Sequence, residues 1–147
     1  MNKKVKFEDL GSTEYACTWQ MQKELFTSII DVKMDNRHNG TSVPTSNYLL
    51  FTEHHPVYTL GRQGKEEHLL LSMPHLKEKG VSFFKIDRGG DITYHGPGQI
   101  TGYPIIDLDN FSPDIHLYVR RLEEIVIRTI GKWGIKGERS EKETGVW

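Results

Sequence analysis

The sequence predicts an α+β fold, with helices packed on one largely antiparallel or mixed sheet. Three observations lead there. Two long segments carry apolar residues at helical spacing. Short apolar runs bounded by glycine and proline lie between them. The two kinds of element alternate irregularly rather than as repeating βα units.

The elements follow in order. Residues 1–10 read as a short strand in which Val5 and Phe7 alternate with lysines, and Gly11-Ser12-Thr13 as a turn and helix start. Residues 13–32 read as a helix, with Tyr15, Trp19, Phe26, Ile29 and Ile30 on one stripe and Gln22 inside it. Residues 34–47 are rich in Asn, Gly, Ser, Thr and Pro and read as an exposed loop, the best candidate for disorder. Residues 48–52 and 57–60 read as buried strands and residues 64–67 as a charged loop. A short helix over 74–79 ends at Gly80, and a strand covers 81–86. Residues 88–99, with four glycines and a proline, read as largely loop, followed by a strand over 102–108. Ser112-Pro113-Asp114 reads as a helix start with Ser112 as the cap. From Ile115 to Trp133 one apolar stripe then runs to a stop at Gly134.

The bulk composition excludes several classes. An apolar fraction of 36% with a net charge of −1 fits a globular chain, neither disordered nor membrane-embedded. Near-neutral balance argues against nucleic acid as the main partner, since phosphate binding needs a basic face. The length of 147 residues favours one domain. The lone cysteine, Cys17, cannot form an internal disulfide, and the charged N-terminus is followed by no apolar run. A cytoplasmic protein without a membrane partner is expected. The seven histidines show no metal-ligand spacing, so no metal and no cofactor are expected. His54 and His55 are adjacent, so in a strand they would point to opposite faces.

The segment richest in chemistry is Arg88-Gly89-Gly90-Asp91-Ile92-Thr93-Tyr94-His95-Gly96-Pro97-Gly98-Gln99. The Gly pair permits a tight turn and a close approach to a ligand, and Gly96-Pro97-Gly98 stiffens the return. Between them lie the Arg88 guanidinium, the Thr93 and Tyr94 hydroxyls and the His95 imidazole, groups able to bind or polarise an acyl or phosphate-like group. On physical grounds alone, a glycine-rich turn with a nearby histidine is more often a plain hairpin than a binding site. Neither the dinucleotide fingerprint nor the P-loop pattern is present.

This segment resembles the R-G-G-x-x-T-Y-H-G-P-G-Q signature of the lipoyl(octanoyl) transferase family. Glu53-His54-His55-Pro56-Val57-Tyr58-Thr59-Leu60-Gly61-Arg62 is similar to the family's E-H-x-P-V-Y-T-x-G-R run. Residues 102–108, the V-R-x-L-E core within residues 118–124, and Thr144-Gly145-Val146-Trp147 also resemble family segments in order. The Gly96-Pro97-Gly98-Gln99 ending is similar to the transferases rather than to the related biotin and lipoate ligases.

The resemblance implies the biotin/lipoate ligase and transferase catalytic domain, C-terminally incomplete here, spanning residues 1–147. It implies transfer of an octanoyl group from octanoyl-acyl carrier protein to a lysine of lipoyl-domain proteins, through an acyl-cysteine whose thiolate a neighbouring lysine favours. In the family that Cys/Lys pair lies beyond T-G-V-W, so no catalytic residue is expected in this chain. The resemblance puts Arg88, Gly89, Gly90, Asp91, Ile92, Thr93, Tyr94 and His95 in the substrate-binding segment. They are expected to line a cleft at a sheet edge, with Tyr94 or His95 facing the cavity.

Cys17 reads as a helix-fringe residue, Lys136 and Lys142 as surface lysines, Tyr58 and Tyr103 as packing residues, and Arg62 as a further pocket candidate. Two alternatives stand beside the transferase: a non-catalytic acyl- or carrier-protein-binding fragment, and an ATP-dependent lipoate-ligase relative. The chain alone is expected to be inactive and to leave Val146, Trp147 and part of the 125–133 stripe facing water.

Overall fold

A computed structural model describes residues 1–141 and 143–147; Lys142 lies outside the described residues. Two compact units are present, Asn2–Ile106 and, with Met1, Asp107–Trp147.

The larger unit contains strands β1 (Val5–Thr13), β2 (Asn47–His54), β3 (Val57–Leu60), β4 (Ser82–Lys85), β5 (Ile92–His95) and β6 (Ile100–Ile105), with helices α1 (Tyr15–Asn39) and α2 (Met73–Glu78). The strands form two three-stranded sheets rather than one, in the orders β1-β2-β6 and β4-β3-β5. Each is mixed: β1 runs parallel and β6 antiparallel to β2, while β4 runs parallel and β5 antiparallel to β3. The α+β reading holds.

Three local expectations change. Gly11-Ser12-Thr13 stays in the strand. Gly11 at φ 64° absorbs a bulge between Asp9 and Ser12, and β1 then resumes pairing with Glu53 and His54. The first helix runs on to Asn39, past the point where the polar residues begin. The left-handed Gly40 ends it, and the amides of Gly40 and Thr41 both reach the Asn36 carbonyl. The Asn36 side chain also binds Thr41 and Val43, each at 2.8 Å, so the following turn is tied down. The centre of the 88–99 segment is a strand, because Ile92 to His95 pair with Leu60 to Val57 despite the flanking glycines.

The face of the first sheet beneath α1 follows strand alternation. Leu50, Thr52 and His54 are buried there, opposite Tyr103 and Thr101 of β6. Ile29 of α1 closes on Leu50 and Ile105, with Leu25, Tyr48 and Tyr103 around them. Hydroxyls fill the end near the bulge: Thr13 bonds both Thr18 and Thr52 at 2.7 Å.

The smaller unit holds α3 (Ile115–Gly131). Asp114, not Ser112, is its N-cap; the carboxylate accepts from the Leu117 amide at 3.0 Å. An ionised carboxylate at this position also meets the positive end of the helix dipole. Glu123, buried on α3, accepts from the Gly145 amide at 3.0 Å and from Arg120 at 2.8 Å, and pairs with Arg139 at 3.2 Å. This fixes a terminal hairpin in which Glu138 and Trp147 exchange backbone bonds. Ile125, Val126, Trp133 and Trp147 are exposed, and Val146 is half-buried.

Candidate functional site

The site is built where two sequence motifs meet. Strand β3 ends at Leu60, and the next three amides turn back onto the loop before β5. Gly61 N–H donates to the Asp91 carbonyl at 3.1 Å, Arg62 N–H to Arg88 at 2.9 Å and Gln63 N–H to Gly90 at 3.3 Å. The Gln63 side-chain carbonyl returns a bond to Gly90 N–H at 3.2 Å. The approach is so close that a Cβ on Gly61 would lie 2.3 Å from the Gly90 carbonyl oxygen. Gly90, at φ 86°, makes the turn that brings its carbonyl there.

Arg88 braces this loop from inside. Its guanidinium donates to the Thr93 hydroxyl at 2.8 Å, to the Asp91 carbonyl at 3.0 Å, to Gly89 at 2.7 Å and to the Thr59 hydroxyl at 3.3 Å. Its Nε is buried and makes no hydrogen bond. Asp91 turns outward and accepts from His68 Nδ1 at 2.5 Å. Partial desolvation pushes the Asp91 carboxyl up, but the hydrogen bonds from His68 and from the Ile92 and Lys65 amides outweigh it and hold it below the usual value. Gly89 is exposed and Ile92 half-buried. Arg62 offers its backbone to the loop; its side chain is exposed and lies 3.6 Å from Asp87.

Strand alternation then divides the signature between two faces. Tyr94 lies with Tyr58 and Phe83 on the outer face, its ring 5.1 Å from that of Tyr58, and it is 46% exposed. Thr93 and His95 lie on the inner face with Thr59 and Phe84. His95 is half-buried, and its Nδ1 meets the Gln99 side-chain oxygen at 2.6 Å. An amide oxygen can only accept, so Nδ1 carries a proton and Nε2 remains open. The loop after β5 is anchored separately, by Gly98 N–H donating to Glu53 at 2.8 Å.

The inner face holds residues that the sequence reading did not assign to the site. His54 has 0% exposure, and its ring lies 6.0 Å from that of His95 and 5.2 Å from that of Tyr15. Tyr15 also packs on Phe84, which in turn contacts Trp19. Tyr103, read from the sequence as a packing residue, also bonds His54 Nε2 through its hydroxyl at 2.7 Å. Burial lowers the His54 pKa, reinforced by His95 and His55 and opposed by the Thr13 carbonyl. Burial pushes Tyr103 up to about 12, with the Tyr15 hydroxyl acting the same way and a Gln22 hydrogen bond opposing. Burial also raises Tyr15, an effect that Arg88 opposes. The legible signal was alternation: Leu50, Thr52 and His54 share one strand face, so a histidine ends a buried row. As expected, His55 points away and is exposed, bonded to Glu14 at 2.6 Å.

Cys17 is exposed on α1. Among the described residues no group of three or more His, Cys, Asp or Glu is arranged to hold a metal ion. No helix among them is long and apolar enough to cross a membrane.

Chemically, the arrangement offers an open imidazole nitrogen and, beside a braced glycine loop, an aromatic cluster of buried Tyr15 with half-buried Phe84 and Trp19. Such a surface suits a group with an apolar body and a polar, hydrogen-bonding head.

Residues 14–147 match the lipoyl protein ligase A/B catalytic domain. The chain is 58% identical over 147 residues to an octanoyltransferase of Flavobacterium johnsoniae, covering 100% of this chain and 63% of that protein. It is 57% identical, with the same coverage, to an octanoyltransferase of Christiangramia forsetii. The chain thus spans 63% of the length of these two relatives. Solved structures share the fold at low identity. A bi-partite lipoate protein ligase from Thermoplasma acidophilum superposes with TM-score 0.61 at 15% identity, over 95% of this chain and 49% of that one. A lipoate-protein ligase A bound with ATP gives TM-score 0.58 at 14% identity, over 98% and 52%.

Proposed function

The chain belongs to the lipoyl protein ligase A/B catalytic-domain family, and from that premise we propose that it serves octanoyl transfer in protein lipoylation. The donor is octanoyl-acyl carrier protein and the acceptor a lysine of a lipoyl-dependent enzyme domain. Residues 1–147 form part of a single catalytic domain of the biotin/lipoate ligase type, working in the cytoplasm.

The reaction has two exchanges. A cysteine thiolate attacks the thioester carbonyl, and the carrier departs as a thiolate. The neutral amine of the acceptor lysine then attacks the acyl-cysteine, giving an amide and freeing the cysteine. The attacking cysteine and its lysine partner lie outside residues 1–147. Cys17 is not the nucleophile of this proposal: it lies on α1, outside the segment after T-G-V-W to which the reaction's cysteine is assigned. The role of residues 88–95 is to hold the acyl group. Thr93 lies in one sheet row with Thr59 and Phe84, the ring on which Tyr15 packs, while His95 packs on His54 and keeps Nε2 open for a carbonyl or water-mediated contact.

One observation supports this reading: the amides after β3 clamp the Arg88, Gly90 and Asp91 carbonyls, and at the other end of β5 His95 packs on the His54 ring, which in turn packs on Tyr15. The two most specific motifs of the sequence become one surface. The test is mass-detected transfer from octanoyl carrier protein to an apo lipoyl domain. Residues 1–147 alone should transfer nothing, and a protein that joins them to the Cys/Lys segment should transfer octanoate without ATP. AMP release from ATP and free octanoate would instead favour a ligase. Carrier binding without transfer in the joined protein would favour a binding module.

A further inference from the structure

We propose that His54 is a positioning residue for His95, held in place by the hydrogen bond between its Nε2 and the Tyr103 hydroxyl. The proposal rests on the octanoyl-transfer reading only for its kinetic consequence; the geometry stands apart from it.

The Tyr103 phenol stays protonated in the neutral range and donates to His54 Nε2 at 2.7 Å. An accepting Nε2 puts the His54 proton on Nδ1. That nitrogen is buried near the Thr13 carbonyl, although no partner meets it at full hydrogen-bond geometry. Three strands thus surround one ring: β6 through Tyr103, β1 through the Thr13 carbonyl, and β2 through His54 itself. The Nε2 bond to Tyr103 fixes the orientation of the ring, and a phenol that donates to Nε2 favours the Nδ1–H tautomer.

That fixed ring is what His95 packs against. The two rings meet edge to face at 6.0 Å and 68°. His95 is otherwise held by one contact, Nδ1 to Gln99 at 2.6 Å, on an exposed loop residue. The His54 ring supplies the second constraint and thereby sets the direction of the open His95 Nε2. The groups that face His54 are Tyr15 from α1, Tyr103 from β6, His95 from β5 and the Thr13 carbonyl from β1. None of them supplies a negative charge, so a proton on His54 would meet only like charge or neutral groups.

Two readouts separate this role from simple packing. The first is the imidazole 15N NMR spectrum of the whole protein across pH. His54 should still show the neutral Nδ1–H tautomer at a pH where a free imidazole is already largely protonated. Titration of His54 at the free value, or an Nε2–H tautomer, overturns the proposal whether or not the protein transfers octanoate. The second is the variant Tyr103→Phe, which deletes one hydroxyl. It should shift the His95 ring signals and lower kcat about tenfold with KM within about twofold. Tyr48→Phe, away from this bond, should do neither. His54→Gln retains a donor and an acceptor and should recover most of the rate lost in His54→Ala. Unmoved His95 signals and unchanged kcat in Tyr103→Phe, with a normal melt, would leave His54 a packing residue only.

Discussion

Gly61 and Gly90 touch backbone to backbone: a Cβ on Gly61 would sit 2.3 Å from the Gly90 carbonyl oxygen and 2.8 Å from that of Arg88. Neither neighbour is a flexible side chain that could swing aside. The G-R and R-G-G motifs therefore depend on each other sterically, across 27 residues of sequence.

Gly61→Ala should push the 88–91 loop off β3. Overpacking of this kind costs roughly 1–3 kcal/mol, and the displaced loop should lose octanoyl transfer more than the melt loses stability. Thermal unfolding and transfer rate, measured together, check this. A Gly61→Ala protein with normal activity would mean the close approach is not needed.

Arg88→Lys should fail although charge is kept. The guanidinium spans the Thr93 hydroxyl and the Asp91 and Gly89 carbonyls at once, and an ammonium cannot reach all of them. Loss of bonds to a charged donor should cost about 1–3 kcal/mol. Denaturant unfolding of the two proteins gives the difference, and an Arg88→Lys protein as stable as the parent would sink the brace.

Stability should fall as acid is added in the histidine range. His54 is held below its usual pKa by burial, so the unfolded chain takes up its proton first. The unfolded state then binds more protons from about pH 6.5 downward, and stability drops until folded His54 itself protonates. The lowered Asp91 carboxyl acts in the same direction, in the acid range below that window. Melting curves from about pH 7.5 to about pH 5 should slope in the parent and flatten in His54→Gln. An equal slope in both would place the effect elsewhere.

Glu123→Gln should loosen the terminal hairpin. The carboxylate is held below its usual pKa by the Gly145 amide, then by Arg120, against some desolvation. An amide keeps the shape but answers neither arginine. Hydrogen exchange at Gly145 and Trp147 should accelerate by an order of magnitude or more, roughly the loss of a charge-assisted bond, while Leu50 exchange stays slow.

Cys17→Ser should leave octanoyl transfer by the joined protein within about twofold, because the proposed nucleophile is a different cysteine and an exposed thiol on α1 fills no core space. Loss of turnover in this variant would move the acyl-cysteine onto α1.

Local sequence carried the class of fold, the helix stripes and the chemical content of the signature, since these depend on periodicity and on which residue types stand together. It placed β3 over Val57–Leu60 to the residue, because Pro56 and Gly61 punctuate that run. It misjudged the end of α1, where Asn, Asp and His look like loop but continue a helix that only Gly40 can stop. It read the signature as loop because four glycines hid Ile92 to His95; pairing with β3, a partner distant in sequence, makes that stretch a strand. The division of the signature into an outer Tyr94 and an inner His95 followed from that pairing. Two further contacts, Arg88 bonded within its own loop and Tyr103 reaching His54, came from the tertiary arrangement in the same way. Each of these depends on a contact that the local pattern does not specify, because no such pattern carries the register that brings the elements together.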